Sequence, residues 1–355
     1  MNKRKLKYVF FRVSKAVGLL YLSRHFTRRG LRILCYHAFS NGDEVLFRPK
    51  LFMRCSSFEA RLRMLKTGGY PVLTFDAAFA GLENGKLPDR ATVITIDDGF
   101  AGVYSCAVEF LSRFSYPATI YVTTYYCVKQ NPVFRLLIQY VFWKTKRTGL
   151  CLPAISGSFS GDFSLVDPGE KYRVMWEIIR WGEEKCDEEQ RTALARRVAE
   201  LLQVDVDSTY HRRIMSVMNY DEIRSAASRG MDIQLHTHRH RFPADNPAEA
   251  LRELEENRCV LQPLAGKCLQ DFCYPSGEWS HHHWPILQAA GVRSATTCQP
   301  GLNYPGTPKF ALRRFLDSED IAPLEFEVEI SGYGEMLRKI RRSLRVFGRC
   351  QNERV

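Results

Sequence analysis

The stretch Ala91-Thr92-Val93-Ile94-Thr95-Ile96-Asp97-Asp98-Gly99-Phe100 decides how the rest of the chain is read. Its first six residues are apolar or β-branched, the composition of a buried strand. The run ends on two consecutive carboxylates, and Gly99 lets the backbone turn directly after them. Side chains leaving a strand end diverge, so Asp97 and Asp98 are free to divide two tasks, one holding a metal and the other taking a proton. An Asp-Gly pair is also an ordinary surface turn, and this stretch alone does not separate the two readings.

A second stretch does. In Met231-Asp232-Ile233-Gln234-Leu235-His236-Thr237-His238-Arg239-His240 another short apolar run enters a cluster of imidazoles. Zinc and similar borderline metals favour a few imidazole and carboxylate ligands with one position open to water. Asp98, His236 and His240 supply such a set.

These residues resemble the signature of the polysaccharide deacetylases, carbohydrate esterase family 4, with the NodB homology domain. The family's T-[FI]-D-D-G motif is matched by Thr95 to Gly99, and its H-[ST]-x-x-H motif by His236 to His240. The core of a third motif, aromatic-x-x-Pro-x-Gly, stands as Phe272-Cys273-Tyr274-Pro275-Ser276-Gly277. The resemblance implies that Asp97 is the general base and that Asp98, His236 and His240 bind a divalent metal, zinc by preference. It also implies that Tyr274, Pro275 and Ser276 contact substrate, with a backbone N–H near Ser276 for the oxyanion. Two departures stand out. Cys273 occupies a place where many members carry arginine, and no late Leu-x-His follows. Instead Leu34-Cys35-Tyr36-His37 closes an apolar run near the start. That arrangement resembles a circularly permuted subgroup, in which His37 inherits the general-acid role; His238 is the competing candidate.

The remaining chain is organised around these motifs. Strand-like runs at Leu31–Tyr36, Pro71–Leu73, Ala118–Thr123, Asp271–Tyr274, Val292–Ala295 and Phe310–Phe315 alternate with helical stretches such as Val103–Phe114 and Pro247–Leu264. That rhythm implies a parallel sheet covered by helices. The expected fold class is α/β, a distorted (β/α) barrel of the polysaccharide deacetylase type, spanning residues 31–330. Residues 124–215 break the rhythm and are too many for a simple connection. They read as a mostly helical insertion over the barrel mouth, with a hairpin near Ala154–Leu165 and helices at Lys171–Trp181 and Asp187–Leu202. Asn219-Tyr220-Asp221-Glu222 has the form of a capping box. His281-His282-His283 reads as a loop cluster outside the active site.

Charge is concentrated at the two ends. Residues 1–30 carry nine Lys or Arg and no acid, and residues 331–355 carry a net +5, so the middle is slightly acidic (−2) although the whole chain is +12. A nucleic-acid-binding fold builds its basic surface into the domain, so nucleic acid is not an expected partner. Leu6, Val9, Phe10, Val13, Val17 and Leu20 recur at helical spacing among the N-terminal cations. The run is too interrupted to span a bilayer and lacks the form of a signal peptide. It reads as an interfacial amphipathic helix attracted to an anionic membrane, or as a helix packed on its own domain. The tail residues Leu337, Ile340, Leu344 and Phe347 repeat the pattern. Eleven cysteines, an odd number without a C-x-x-C pair, fit a reducing compartment better than a disulfide framework. The expected location is therefore cytoplasmic, at the inner membrane face. The expected activity is N-deacylation of amino sugars in a bacterial polysaccharide or lipid-linked glycan. An inactive glycan-binding relative and a membrane scaffold are the competing classes.

Overall fold

The computed structural model describes residues 3–155 and 159–352, with the side chains of 3, 153–155, 159 and 344–352 outside that description. Leu344, Phe347 and part of the expected glycine-bearing hairpin therefore lie outside the described side chains.

Seven strands form the central sheet: β1 (Arg32–Tyr36), β2 (Thr92–Ile96), β3 (Thr119–Val122), β4 (Asp232–Leu235), β5 (Asp271–Cys273), β6 (Ser294–Thr296) and β7 (Phe315–Leu316). Their order is β6-β5-β4-β3-β2-β1-β7, and every pairing is parallel. Helices cover the outside, so β1 and β2 are buried along their whole length. This is why they read as continuous apolar and β-branched runs and do not alternate. The two edges of the sheet are joined by the segment that leads into β7. Ala295 N–H donates to the Lys309 carbonyl, Leu312 N–H to Ala295, and Thr297 N–H to Leu312. β7 then pairs with β1, Leu34 opposite Phe315. The result is a distorted (β/α) barrel whose strands all end on one face. Gly99 (φ 75°) turns the chain there, and a Cβ in its place would come within 2.9 Å of Val122.

Between β3 and β4 lies the expected insertion. It contains helices Tyr125–Lys129, Phe134–Lys144, Pro168–Lys185, Glu188–Leu201 and Asp207–His211, and a hairpin of Gly149–Ile155 with Phe159–Ser164. Its apolar faces, including Leu137, Val141, Val174, Ile178, Leu194 and Val198, join the core of the barrel. The capping box at Asn219 is formed, with Glu222 N–H on Asn219 Oδ1 at 2.9 Å and Asn219 N–H on Glu222 Oε2 at 2.8 Å.

The N-terminal segment forms helices α1 (Lys3–Ala16) and α2 (Leu19–Phe26). One face packs on the domain and another stays exposed. Phe11 and Leu20 are buried against Val328 and Tyr333. Lys7, Lys15 and Arg24 pair with Glu325 and Glu327. Leu6, Val9, Phe10 and Val13 on α1, Val17 in the turn after it, and Leu19, Leu22 and Phe26 on α2 remain exposed. No helix among the described residues is long and apolar enough to cross a membrane.

The structure departs from the sequence reading in several places, and the expected strand Phe310–Phe315 is reduced to Phe315–Leu316 with an isolated bridge from Leu312 to Thr296. Pro71–Leu73 is no strand; only Val72 makes an isolated bridge, to Thr92. A helix at Phe75–Glu83, capped by Thr74 Oγ1, was not foreseen. Cys55 and Cys106 are joined by a disulfide with 5.9 Å between their Cα atoms. An odd cysteine count is thus no argument for a reducing compartment here.

Candidate active site

Because the strands are parallel, the residues that follow them collect at one end of the barrel. His37 follows β1, Asp97 and Asp98 follow β2, Thr123 follows β3, His236 follows β4 and Tyr274 follows β5. All of them line a single cavity of about 690 Å³. The insertion supplies much of its opposite wall through Tyr125, Tyr126, Val133, Arg135, Leu136, Glu183 and Arg191.

Asp98, His236 and His240 face one another. Asp98 Oδ1 lies 3.2 Å from His236 Nε2 and 3.4 Å from His240 Nε2. His236 Nδ1 stands 2.8 Å from the Cys273 carbonyl oxygen. A carbonyl only accepts, so Nδ1 carries the hydrogen and Nε2 is the atom that faces the carboxylate. That arrangement requires a positive charge between Nε2 and Oδ1, either a proton or a metal ion. Backbone support of the far ring nitrogen is how metal-binding histidines are commonly oriented. Burial holds the His240 pKa down to about 4, leaving it neutral as a ligand must be. Burial raises the Asp98 pKa, but the two imidazoles outweigh it and bring the group down to about 2.

The histidine loop is pinned by a helix behind it, Pro247–Ala265. Asn257 Oδ1 accepts the His236 N–H at 3.0 Å, and its amide donates to the Val122 carbonyl and Thr124 Oγ1. One turn earlier, the Glu253 carboxylate accepts the Arg239 N–H at 2.6 Å, and its backbone carbonyl accepts the His238 N–H. Both side chains are buried. Thr237, His240, Asp98 and Ser276 all hold left-handed backbone, with φ between 57° and 67°. Non-glycine residues adopt this only when their surroundings enforce it, and such strain gathers at functional sites.

Asp97 faces a different partner. Arg314, fully buried just before β7, donates Nη1 to Asp97 Oδ1 and Nη2 to Oδ2, each at 2.7 Å. Burial would raise the Asp97 pKa; the charge and hydrogen bonds of Arg314 more than reverse this and hold it well below the usual carboxylate range. The Cys35 and Cys273 thiols also lie against Oδ2, at 3.4 and 3.3 Å. Both were expected as small core residues, and both are buried. Two other ligand-type triads share Asp97, one with Cys35 and His37, the other with His236 and Cys273. Arg314 already occupies both Asp97 oxygens, so Asp98, His236 and His240 form the better cation site.

His37 Nε2 lies 3.8 Å from Asp97 Oδ2, with its ring on the cavity wall. His238 does not line the cavity. Its Nδ1 is 2.8 Å from Thr124 Oγ1, and its carbonyl accepts from Thr123 Oγ1 and two backbone amides. Tyr274 and Ser276 line the cavity, with Pro275 buried beside them. Tyr274 N–H is used by the Thr296 carbonyl, and the Gly277 and Glu278 amides close the turn on Tyr274 and Pro275. Ser276 N–H takes no part in these bonds. His283 packs on Phe242 away from the cavity, with Nε2 on the Phe242 carbonyl.

Residues 194–295 match the family described as polysaccharide deacetylase. This stretch includes His236, His240 and the third motif; Asp97, Asp98, His37 and Arg314 reach the site from outside it. The chain is 33% identical over 93 residues to YxkH of Bacillus subtilis (strain 168), whose name assigns it to the same family. That match covers 26% of this chain and 31% of the relative, so the chain spans about a third of the length of that curated protein. The fold is similar to the Streptococcus pyogenes deacetylase PplD, solved in complex with acetate, with a TM-score of 0.54 at 15% identity, covering 85% of this chain and 98% of the other. It is likewise similar to IcaB from Ammonifex degensii, with a TM-score of 0.53 at 16% identity over 85% and 97% of the two chains.

Proposed function

We propose that the chain is a polysaccharide deacetylase, a metal-dependent hydrolase removing N-acetyl or related N-acyl groups from amino sugars of a polysaccharide or lipid-linked glycan; the family match over residues 194–295 and the fold shared with solved deacetylases support this reading. The observation that carries this reading is the division of the two carboxylates. Asp98 faces two imidazoles, whereas Asp97 is held by Arg314 beside His37. A divalent ion on Asp98, His236 and His240, zinc on the chemistry of two imidazoles and a carboxylate, supplies Lewis acidity toward an acyl oxygen and acidifies water. Asp97, ionised and fixed by Arg314, accepts the proton of the attacking water. His37 in its protonated form gives a proton to the departing sugar nitrogen. Ser276 N–H is the turn's free donor for charge developing on the acyl oxygen. The products are a carboxylic acid and a free amino sugar.

Release of acetate and free amine from a panel of N-acetylated oligosaccharides tests this reading. An inactive glycan-binding relative or a scaffold would bind or localise without releasing either. For the metal, elemental analysis of untagged protein is expected to give roughly one divalent ion per chain. His236→Ala and His240→Ala should each lose it, and activity with it. Stoichiometric metal persisting in both variants would sink the ligand assignment.

The exposed apolar stripes of α1 and α2, set among cations with no acid in residues 1–30, favour peripheral attachment to an anionic bilayer. The protein should co-sediment with vesicles containing phosphatidylglycerol and far less with neutral phosphatidylcholine. Val13→Asp is expected to weaken the binding by on the order of tenfold, as the loss of one buried apolar side chain implies. Equal binding to both vesicle types, or an unaffected variant, overturns the attachment.

A further inference from the structure

The cavity wall carries more positive charge than the proposed hydrolysis uses. Five arginines line it: Arg48, Arg135, Arg191, Arg239 and Arg241. Three are committed within the protein. Arg135 is bound to Glu183 through two hydrogen bonds, at 2.9 and 2.5 Å. Arg191 donates to the Gly182 and Glu183 carbonyls. Arg239 pairs with Glu253 and Glu256. The guanidinium groups of Arg48 and Arg241 have no hydrogen bond or ion pair among the described residues. Arg48 lies over the Phe47 ring, at 5.6 Å from its centroid, and its pKa is lowered by desolvation and by Arg135 nearby. Arg241 directly follows the proposed ligand His240, and its backbone is tied to Thr237 Oγ1.

A neutral acylated sugar offers these two forks single hydroxyl and carbonyl acceptors but no charge to balance theirs. A tetrahedral oxyanion does: guanidinium groups bind phosphate through paired, charge-assisted hydrogen bonds. We propose that Arg48 and Arg241 form an anion-recognition subsite, and that the substrate is an N-acyl amino sugar bearing a phosphate group. This inference rests on the hydrolase reading for the identity of the reaction, while the subsite itself is testable without turnover.

Two measurements on the full-length, metal-loaded protein test it. In calorimetric titrations at low salt, glucosamine 1-phosphate should bind on the order of tenfold tighter than glucosamine for each arginine engaged. That preference should shrink as sodium chloride is raised. In turnover assays, kcat/KM for N-acetylglucosamine 1-phosphate should exceed that for neutral chitotetraose. In Arg48→Gln/Arg241→Gln the phosphorylated-to-neutral ratio should collapse toward one, chiefly through KM. A polyprenyl-phosphate-linked N-acetylglucosamine in detergent separates the two sources of phosphate. If it is preferred over the soluble sugar phosphate, the anion is a lipid-linked phosphodiester; equal or lower preference assigns a soluble phosphate. Equal binding of glucosamine and its phosphate by the wild-type protein overturns the proposal, as does a double variant that keeps the full preference. If phosphate binding depends on both arginines but no acylated sugar is turned over, the subsite stands and the hydrolase reading falls.

Discussion

Arg314→Met is expected to disable the protein twice over, in stability and in catalysis. The substitution leaves Asp97 buried without its cation, and breaking a buried ion pair from one side commonly costs about 3–5 kcal/mol. The carboxylate would also lose the two 2.7 Å hydrogen bonds that fix its orientation. Activity should therefore fall by ~10²–10⁴, comparable to loss of the base itself in Asp97→Asn. The single and double variants separate the two effects. Asp97→Asn/Arg314→Met removes both charges, so it should recover much of the stability lost in Arg314→Met while remaining inactive. Chemical denaturation and metal content, measured on the same preparations, decide the matter. On the proposed roles, Asp97→Asn removes a base and should leave metal content unchanged, whereas Asp98→Asn should weaken metal binding itself. The pH dependence has a defined sign. Asp97 is held below its unfolded pKa of ~3.9, so its contribution to stability is fully present above that value. The contribution is lost as the pH falls toward the depressed folded value. Arg314→Met should flatten that acid limb. An Arg314→Met protein as stable and as active as wild type would leave Asp97 without the role argued for it.

That Arg314 went unread in the sequence has a physical reason. It sits in Phe310-Ala311-Leu312-Arg313-Arg314-Phe315, beside another arginine and before a strand only two residues long. Composition marks it as one of 51 cations. Its period-two phase with Phe310 and Leu312, both buried, was the available signal. The apparent gap at Cys273 was misleading in the same way: a guanidinium does reach the Asp97 carboxylate, but from the strand that closes the barrel. Arg314 Nη2 even stands 3.1 Å from Cys273 Sγ. Asn257 and Glu253 were hidden for a different reason. They are polar residues on the inner side of a helix whose other inward positions, such as Ala250, Leu254 and Leu261, are apolar. By contrast, the sheet was legible because strands buried on both faces must be continuous apolar runs. Paired carboxylates and clustered histidines at the ends of such runs then mark one end of a parallel barrel. The sheet of Ala38–Phe39 with Phe52–Met53 was not legible, since two-residue strands carry no periodicity.

His37→Ala is expected to lower kcat on N-acetyl sugars by ~10²–10⁴, the usual contribution of a general acid, with metal content unchanged. The motivation is positional. The sheet pairs β1 with β7, so the first strand supplies a side chain where a late strand otherwise would. His37 Nε2 stands on the cavity wall 3.8 Å from Asp97 Oδ2, beside the group proposed to activate water. Its side chain is about one-fifth exposed, open enough to meet a leaving group. The pH–rate profile should be bell-shaped, and its alkaline limb should report the loss of the acid's proton. That limb should vanish in His37→Ala. A substrate whose leaving group needs no protonation should be far less affected, because the variant removes a proton donor and not a binding contact. His238 provides the counter-test. Its Nδ1 is engaged by Thr124, and its carbonyl organises the Thr123–Tyr125 turn. His238→Ala should therefore reduce stability or loop order and leave the alkaline limb in place. If His238→Ala abolishes that limb and His37→Ala preserves it, proton donation comes from the histidine loop, and the role of β1 is confined to closing the barrel.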